Sequence, residues 1–324
     1  MMRAVIARDK VLRMVERAVP VPSGSEVLVK VAYAGVNRAD LLQKDGHYPP
    51  PAGASDIIGL ECSGTIEALG NEAHKFRVGD RVAALLKGGG YSEYVAIDQG
   101  CVANVPDEMK LSDAAAIPEV WTTAYQLVHR ISRTRATDTV LVHAAGSGVG
   151  LAAVQLASST GASVIATART DAKLKVAMQL GAATGLKPSW TEEAGTRFEV
   201  NPVDVILDPV GAKYWDANLH ALATDGRWVV YGSLGGVKVA GVDLGLMLRK
   251  RLSIYTTTLR SRSLEYQGAL FTDAFHEIVP KIVRGEFKNR IFEQYNLDAA
   301  EEAHACLKDN RNLGKVVLKV GESH

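Results

Sequence analysis

The rhythm of hydrophobic and polar positions changes along this 324-residue chain. From Arg3 to about Val120, short apolar or alternating runs lie at Ala4 to Ala7, Glu26 to Ala34, Cys62 to Leu69, Arg81 to Leu85 and Tyr91 to Ile97. They are separated by PVPSGS, PPPAGAS and KGGG. Gly and Pro at such breaks are turn chemistry, so this stretch predicts short strands in a compact, barrel-like β domain. A helical stretch, SDAAAIPEVWTTAYQLVHR, follows Leu111. Beyond it apolar strands at Val140 to Val142, Ser163 to Ala168, Val203 to Asp208, Arg227 to Tyr231 and Leu252 to Thr256 alternate with helical patterns, the longest near Leu264 to Arg284. Such alternation predicts an α/β layer, a parallel sheet covered on both faces. Ile291 to Tyr295 and Lys315 to Val320 read as strands around a helix at Asp298 to Lys308, a return of the chain to the first domain. The expected domains are residues 1-120 with 290-324, and residues 121-289.

The transition is sharpest at Thr139 to Ala157, TVLVHAAGSGVGLAAVQLA. A continuous apolar run, Val140 to Val142, suits a buried parallel strand. Gly146, Gly148 and Gly150 make a turn, and Val149, Ala152, Ala153, Leu156 and Ala157 then fall on one helical face. Small residues here let backbone N–H groups approach a pyrophosphate at a helix N-terminus. Gly148, Gly150 and Ala153 fill the three small positions of the dinucleotide fingerprint. The strand at Ser163 to Ala168 ends about 20 residues on, where the ribose is read.

Composition narrows the class. Hydrophobic residues make up 47% of the chain, charged residues 23% and the formal net charge is +1. These values describe a globular protein and give no electrostatic reason to expect nucleic acid. No apolar run reaches the length of a membrane span, and MMRAVIARDK lacks the apolar core of a signal peptide, so a cytoplasmic location is expected. Cys62, Cys101 and Cys306 are widely spaced and have no CxxC pair, which reads as buried free thiols rather than a disulfide framework or zinc lobe.

Asn37-Arg38-Ala39-Asp40-Leu41-Leu42-Gln43, Gly46, Tyr48-Pro49-Pro50-Pro51, Gly59-Leu60-Glu61, Gly79-Asp80-Arg81-Val82 and Gly89-Gly90-Tyr91-Ser92-Glu93-Tyr94 form a specific set. Together with Tyr231-Gly232-Ser233, Leu259-Arg260-Ser261-Arg262 and Asn312 to Leu318, it resembles the quinone oxidoreductase branch of the medium-chain dehydrogenase/reductases. Within that branch it is most similar to the zeta-crystallin and p53-inducible quinone oxidoreductase group. The resemblance implies a GroES-like β-barrel substrate domain built from both chain ends, a central Rossmann doubly wound sheet, a cofactor in the cleft between them, and a homodimer or tetramer. Zinc-containing relatives carry a cysteine near the Asn37 position and a histidine where Leu60 stands. Asn and Leu cannot replace a thiolate and an imidazole, so no metal is expected.

The second strand ends in Thr167-Ala168-Arg169-Thr170, with Lys173 a turn later. Cations in place of an Asp or Glu favour NADPH over NADH, because a carboxylate would repel the 2′-phosphate. Asp171 weakens this positive field. Relatives offer a tyrosine near Lys187-Pro188, which Pro188 cannot supply, leaving Lys187 as a substitute. Ser147, Gly148, Val149 and Gly150 are expected along the pyrophosphate. By resemblance, Thr123, Gly232, Ser233, Thr257 and Thr258 surround the nicotinamide, and Asn312 reaches the cofactor from the returning segment. His143 and the Trp121 and Tyr125 pair read as core. Arg260 and Arg262 are either contacts for an anionic ligand or a surface pair near a dimer interface.

Hydride transfer to a quinone asks mainly for orientation in a dry site. Asn37 and Tyr48 are expected to hydrogen-bond the acceptor oxygen as it gains charge. Asp40 is expected to orient its neighbours. An NADPH-dependent enoyl reductase, with Tyr48 protonating carbon, is the alternative enzyme. An NADPH-binding structural or RNA-binding protein is the alternative of another class. The apolar strand Leu252 to Thr256 would offer an open sheet edge to a partner subunit.

Overall fold

The computed structural model describes residues 1–191 and 195–321. The chain divides into two compact units, Met1–Thr122 with Leu259–His324, and Thr123–Thr258. Residues 322–324 of the expected terminal segment lie outside the described residues.

The first unit begins with the hairpin β1 (Met2–Arg8) and β2 (Val11–Arg17), turned by Asp9 and Lys10, both at positive φ. It continues through β3 (Glu26–Val36), α1 (Arg38–Lys44), β4 (Glu61–Leu69), β5 (Arg81–Leu85), β6 (Tyr94–Asp98), β7 (Val102–Asn104), α2 (Leu111–Ala114) and α3 (Pro118–Tyr125). The sequence reading missed β2 and β7. The first is amphipathic without a clean period of two, and the second is only three residues long. The predicted helix after Leu111 is broken into α2 and α3 by Pro118, which serves as the first residue of α3, where a missing N–H is harmless. A π-helical turn, Gln126–Ile131, follows.

The second unit holds β8 (Thr139–Val142), α4 (Gly148–Ser159), β9 (Ser163–Thr167), α5 (Asp171–Gln179), β10 (Thr184–Leu186), the hairpin strands β11 (Ser189–Thr191) and β12 (Gly195–Arg197), β13 (Val203–Asp208), α6 (Trp215–Ala221), β14 (Leu222–Val230), α7 (Leu244–Lys250) and β15 (Ser253–Thr256). Its six-stranded sheet runs β10-β9-β8-β13-β14-β15, and every pairing is parallel. Val140, Leu141 and Val142 are fully buried, as a central strand covered on both faces requires. The strand order reverses between β8 and β13, the switch point at which open α/β sheets bind ligands.

The chain then returns to the first unit through α8 (Leu264–Val283), β16 (Ile291–Asn296), α9 (Ala300–Lys308) and β17 (Lys315–Lys319). The seven-stranded sheet there runs β16-β17-β3-β4-β5-β7, with β6 on β3. The core of this unit draws Val5, Val29, Ile66 and Val95 together with Ala303, Cys306 and Leu318 from the C-terminal segment. The expected split near residue 289 differs from this grouping, because Gly268 of α8 lies directly against the backbone of Gly100 in the first unit. Cys62, Cys101 and Cys306 are all buried free thiols. Among the described residues no helix is long and apolar enough to cross a membrane.

Candidate functional site

Two groups of residues stand out, one in each unit. In the second unit the loops after β8, β9, β13, β14 and β15 all leave the same edge of the sheet, because the strands are parallel. Ser147 caps α4, its hydroxyl accepting from the Gly150 N–H at 3.0 Å. Gly150 has no room for a side chain, since a Cβ would lie 2.7 Å from the Cα of Ala145. Ser147, Gly148 and Val149 are half-buried, so the first turn of a twelve-residue helix keeps an accessible N-terminal face.

At the next strand end Arg169 is exposed and has no ion pair or hydrogen bond among the described residues. Thr170 caps α5 through the N–H of Lys173 at 3.4 Å. The aliphatic stem of Lys173 crosses Gly146, where any Cβ would come within 2.7 Å of it. A cation-bearing segment is thereby fixed against the glycine turn. Lys187 is engaged by Asp171 at 2.6 Å.

Gly232 and Ser233 follow β14 and pack on the loop after β13, where Gly211 sits at φ +77°. Thr257 is buried, its N–H bonded to Val230 O at 3.1 Å, whereas Thr258 and Ser233 are exposed and Thr123 is half-buried. Behind these loops is a closed polar network. His143 meets the Thr167 hydroxyl and the Asn218 Oδ1, each at 2.8 Å. Asn218 and Trp228 both donate to Asp208 Oδ2 at 3.1 Å. Because Asn218 Oδ1 is an acceptor, His143 carries its proton on Nε2 and accepts from Thr167. Burial pushes the His143 pKa down and that of Asp208 up. His143 is a neutral strut, as the sequence reading has it.

In the first unit, Asn37 opens α1. Its Nδ2 donates to Glu61 Oε1 at 2.9 Å and Gly35 O at 3.4 Å, and its Oδ1 accepts from Lys315. Lys315 also pairs with Glu61 and donates to Val36 O at 2.9 Å. Gly35 makes room for this carboxylate, since a Cβ there would meet both Glu61 Oε1 and Ala115 O. The capacity of Asn37 is thus filled inside the protein. It bridges Glu61 and Lys315.

Asp40 is fully buried and accepts from the Asn37 N–H at 2.7 Å and from Tyr91 at 3.1 Å. Burial raises its pKa to about 7, against the opposing effects of the Asn37 N–H and Lys315. Tyr91 lies 3.2 Å from His304 Nε2, and burial takes His304 down to about 3. Glu61 Oε2 accepts from the backbone N–H of Glu119 at 2.9 Å. Burial and the neighbouring Glu61 raise Glu119 to about 8.

Tyr48 is half-buried, with Arg260 stacked over its ring at 5.4 Å. Arg260 is only 3% exposed. Its Nε donates to Lys87 O at 2.8 Å, while Nη2 is buried with no acceptor. Arg260 is therefore a core cation beside Tyr48 and not half of a surface pair. Asn312, also in this unit, is buried and donates to Gly314 O at 2.9 Å. Sequence reasoning passed over Glu119 and Lys315, because each sits in an apolar run that reads as core.

Two family descriptions match the chain: an alcohol dehydrogenase GroES-like domain over residues 23–107 and a zinc-binding dehydrogenase over residues 148–272. A quinone oxidoreductase of Pseudomonas aeruginosa is 32% identical over 301 residues, covering 92% of this chain and 92% of that protein. The human quinone oxidoreductase is 32% identical over 93% of this chain and 91% of its own length. The crystal structure of Escherichia coli quinone oxidoreductase complexed with NADPH superposes with a TM-score of 0.84 at 28% identity, covering 99% of this chain and all of that one. Among the described residues no group of three or more His, Cys, Asp or Glu side chains is arranged to hold a metal.

Proposed function

The chain belongs to the quinone oxidoreductase branch of the medium-chain dehydrogenase/reductases, and from that membership we propose that it is an NADPH-dependent reductase of quinones and related electrophilic carbonyl compounds that works without zinc. The observation that carries the cofactor choice is the end of β9, where Arg169 is exposed and uncommitted and Lys173 is fixed across Gly146. These cations suit a 2′-phosphate, for which a guanidinium offers a planar fork and an ammonium a point charge. Ser147 to Gly150 would line the pyrophosphate, with Thr170 beside Arg169. Thr123, Gly232, Ser233, Thr257 and Thr258 would lie toward the nicotinamide. When bound, NADPH supplies a hydride.

The first unit's residues serve the acceptor. Tyr48 has a hydroxyl with no protein partner among the described residues, so it can donate to a carbonyl oxygen as that oxygen gains charge. Glu61, Lys315 and Asn37 hold the surrounding backbone. Zinc would need about three good donors and an open position. Leu60 offers none, and the Asn37 amide is filled by Glu61 and Lys315. We also propose a homodimer through the free edge of β15.

Purified protein, treated with a chelator, is mixed with NADPH or NADH and with 1,2-naphthoquinone, 1,4-benzoquinone or a simple enone. Chelator-insensitive oxidation of NADPH by a quinone is the expected result. Equal use of NADH, or loss of activity that zinc restores, would overturn the cofactor or the metal reading respectively. A clear preference for the enone would move the assignment to enoyl reduction.

A further inference from the structure

Asp208 ends β13, is fully buried, and has four N–H groups converging on its carboxylate. Oδ1 accepts from the backbone N–H of Val210 at 2.6 Å and of Gly211 at 3.1 Å, and Oδ2 accepts from Asn218 and Trp228, both at 3.1 Å. A carboxylate has about four lone-pair sites. All are taken, so this arrangement requires the ionised form, and the direction of each further bond follows from it. Asn218 turns its NH2 toward Asp208 and its oxygen toward His143. His143 then donates through Nε2 and accepts from the Thr167 hydroxyl through Nδ1, each at 2.8 Å.

Both branches of this network end on loops at strand ends. The Thr167 carbonyl accepts from the Ala145 N–H, in the glycine turn, at 2.9 Å, and Arg169 lies just beyond Thr167 in the chain. On the other branch, the loop that Asp208 holds is laced to the loop after β14. Leu234 N–H donates to Pro209 O at 3.0 Å, Gly235 N–H to Val210 O at 2.7 Å, and Ala212 N–H to Gly236 O at 3.1 Å. Gly232 and Ser233 therefore lie in a segment whose shape depends on the Asp208 carboxylate. A ligand that meets several loops at once binds more tightly when their positions are set beforehand.

We propose that Asp208 is a positioning residue for NADPH, which through Asn218 and His143 sets the strand end bearing Arg169, and through Val210 and Gly211 sets the loop bearing Gly232 and Ser233. The inference rests on the reductase reading above. One buried carboxylate thus fixes the 2′-phosphate end and the nicotinamide end of the site relative to each other. His143 belongs to the first branch alone, so it bears on NADPH and not on NADH.

Three variants of the full chain separate the branches, with affinities for NADPH and NADH measured by fluorescence titration and the fold checked by thermal melting. Asp208→Ala leaves four donors unanswered and should weaken both cofactors at least about tenfold. His143→Phe breaks only the branch to Thr167, and should weaken NADPH about fivefold while leaving NADH unchanged. Asp208→Asn can keep its one oxygen on Val210 and Gly211 and turn its NH2 to Asn218. The bonds from Asn218 to Thr167 then reverse, so the His143 proton should move from Nε2 to Nδ1, read in the ring 15N shifts, with NADPH affinity within about threefold of the parent. Should Asp208→Ala fail to fold, the other two variants still decide. Cofactor affinities unchanged in a folded Asp208→Ala, equal losses of NADPH and NADH in His143→Phe, or a ring proton that stays on Nε2 in Asp208→Asn would each overturn the assignment. These cofactor effects in a parent chain that reduces no quinone or enone would leave the positioning role standing and sink the reductase reading, whereas a parent chain that binds no NADPH would sink both.

Discussion

Lys187 Nζ lies 2.6 Å from Asp171 Oδ2. The acidic residue that opens α5 is therefore answered by a cation, and the positive field of Arg169 and Lys173 is not cancelled. Arg169→Glu should weaken NADPH binding about 10- to 30-fold, as the loss of charge-assisted hydrogen bonds implies, and leave NADH binding nearly unchanged. Lys187→Ala should produce a smaller loss, because an exposed pair contributes about 0.5 kcal/mol. Fluorescence titration with both cofactors reads each effect. Equal losses for NADPH and NADH would rule out a phosphate contact.

The Glu61 and Lys315 pair is almost wholly inside the first unit. Removing one partner of a buried pair leaves a naked charge, so Lys315→Met should destabilise the fold by about 3–5 kcal/mol. Adding Glu61→Gln to it should recover much of the loss, since no unmatched charge remains. Denaturant melts of the two variants decide between this and simple loss of packing, for which the second change would bring no recovery.

Asp40 ordinarily titrates near 3.8 and in the fold near 7, through burial. Between those values the folded chain keeps a proton that the unfolded chain has released. Stability therefore falls as pH rises through this window, and levels off above it. Asp40→Asn mimics the protonated carboxyl and can still accept from the Asn37 N–H. At about pH 8 it should be more stable than the parent by about 4 kcal/mol, with the difference nearly gone by about pH 4. Melting temperatures across that range that run parallel for the two proteins would contradict the assignment.

β15 pairs only with β14 among the described residues, which leaves its outer edge open. Leu244 and Leu248, on the helix just before it, are 64% and 76% exposed, and Val237 and Tyr255 are exposed nearby. An open edge flanked by apolar side chains is a surface that natural proteins cover. Light scattering should give a dimer for the parent chain and a monomer for Leu248→Asp with Tyr255→Asp. A parent chain that is monomeric at micromolar concentration would refute the proposed interface.

What could be read from the sequence depended on how local the signal was. The strand, glycine turn and helix from Val140 to Ala157 announced themselves because apolar run, small residues and helical period are adjacent in the chain. The Asp208, Asn218, His143 and Trp228 network did not, since its members come from four separate elements and only folding brings them within 3.1 Å. Glu119 and Lys315 were hidden in apolar runs. Arg260 was legible as a cation but not as a buried one, because its acceptor, Lys87 O, belongs to a distant loop. Asn37 was legible as a candidate polar group, but no sequence pattern reveals its bonds to Glu61 and Lys315, which come from distant parts of the chain.

The burial of Cys62, Cys101 and Cys306 bears on durability. Quinones arylate thiolates, and under the proposed function the chain would meet them at every turnover. Burial raises the pKa of Cys62, and takes Cys101 to about 11, so neither is a thiolate near neutral pH. Intact mass after incubation of the folded chain with excess 1,4-benzoquinone should show no adduct on any of the three, while the unfolded chain should take up all of them. Resistance to self-inactivation would then come from the packing of the fold, with no repair chemistry required.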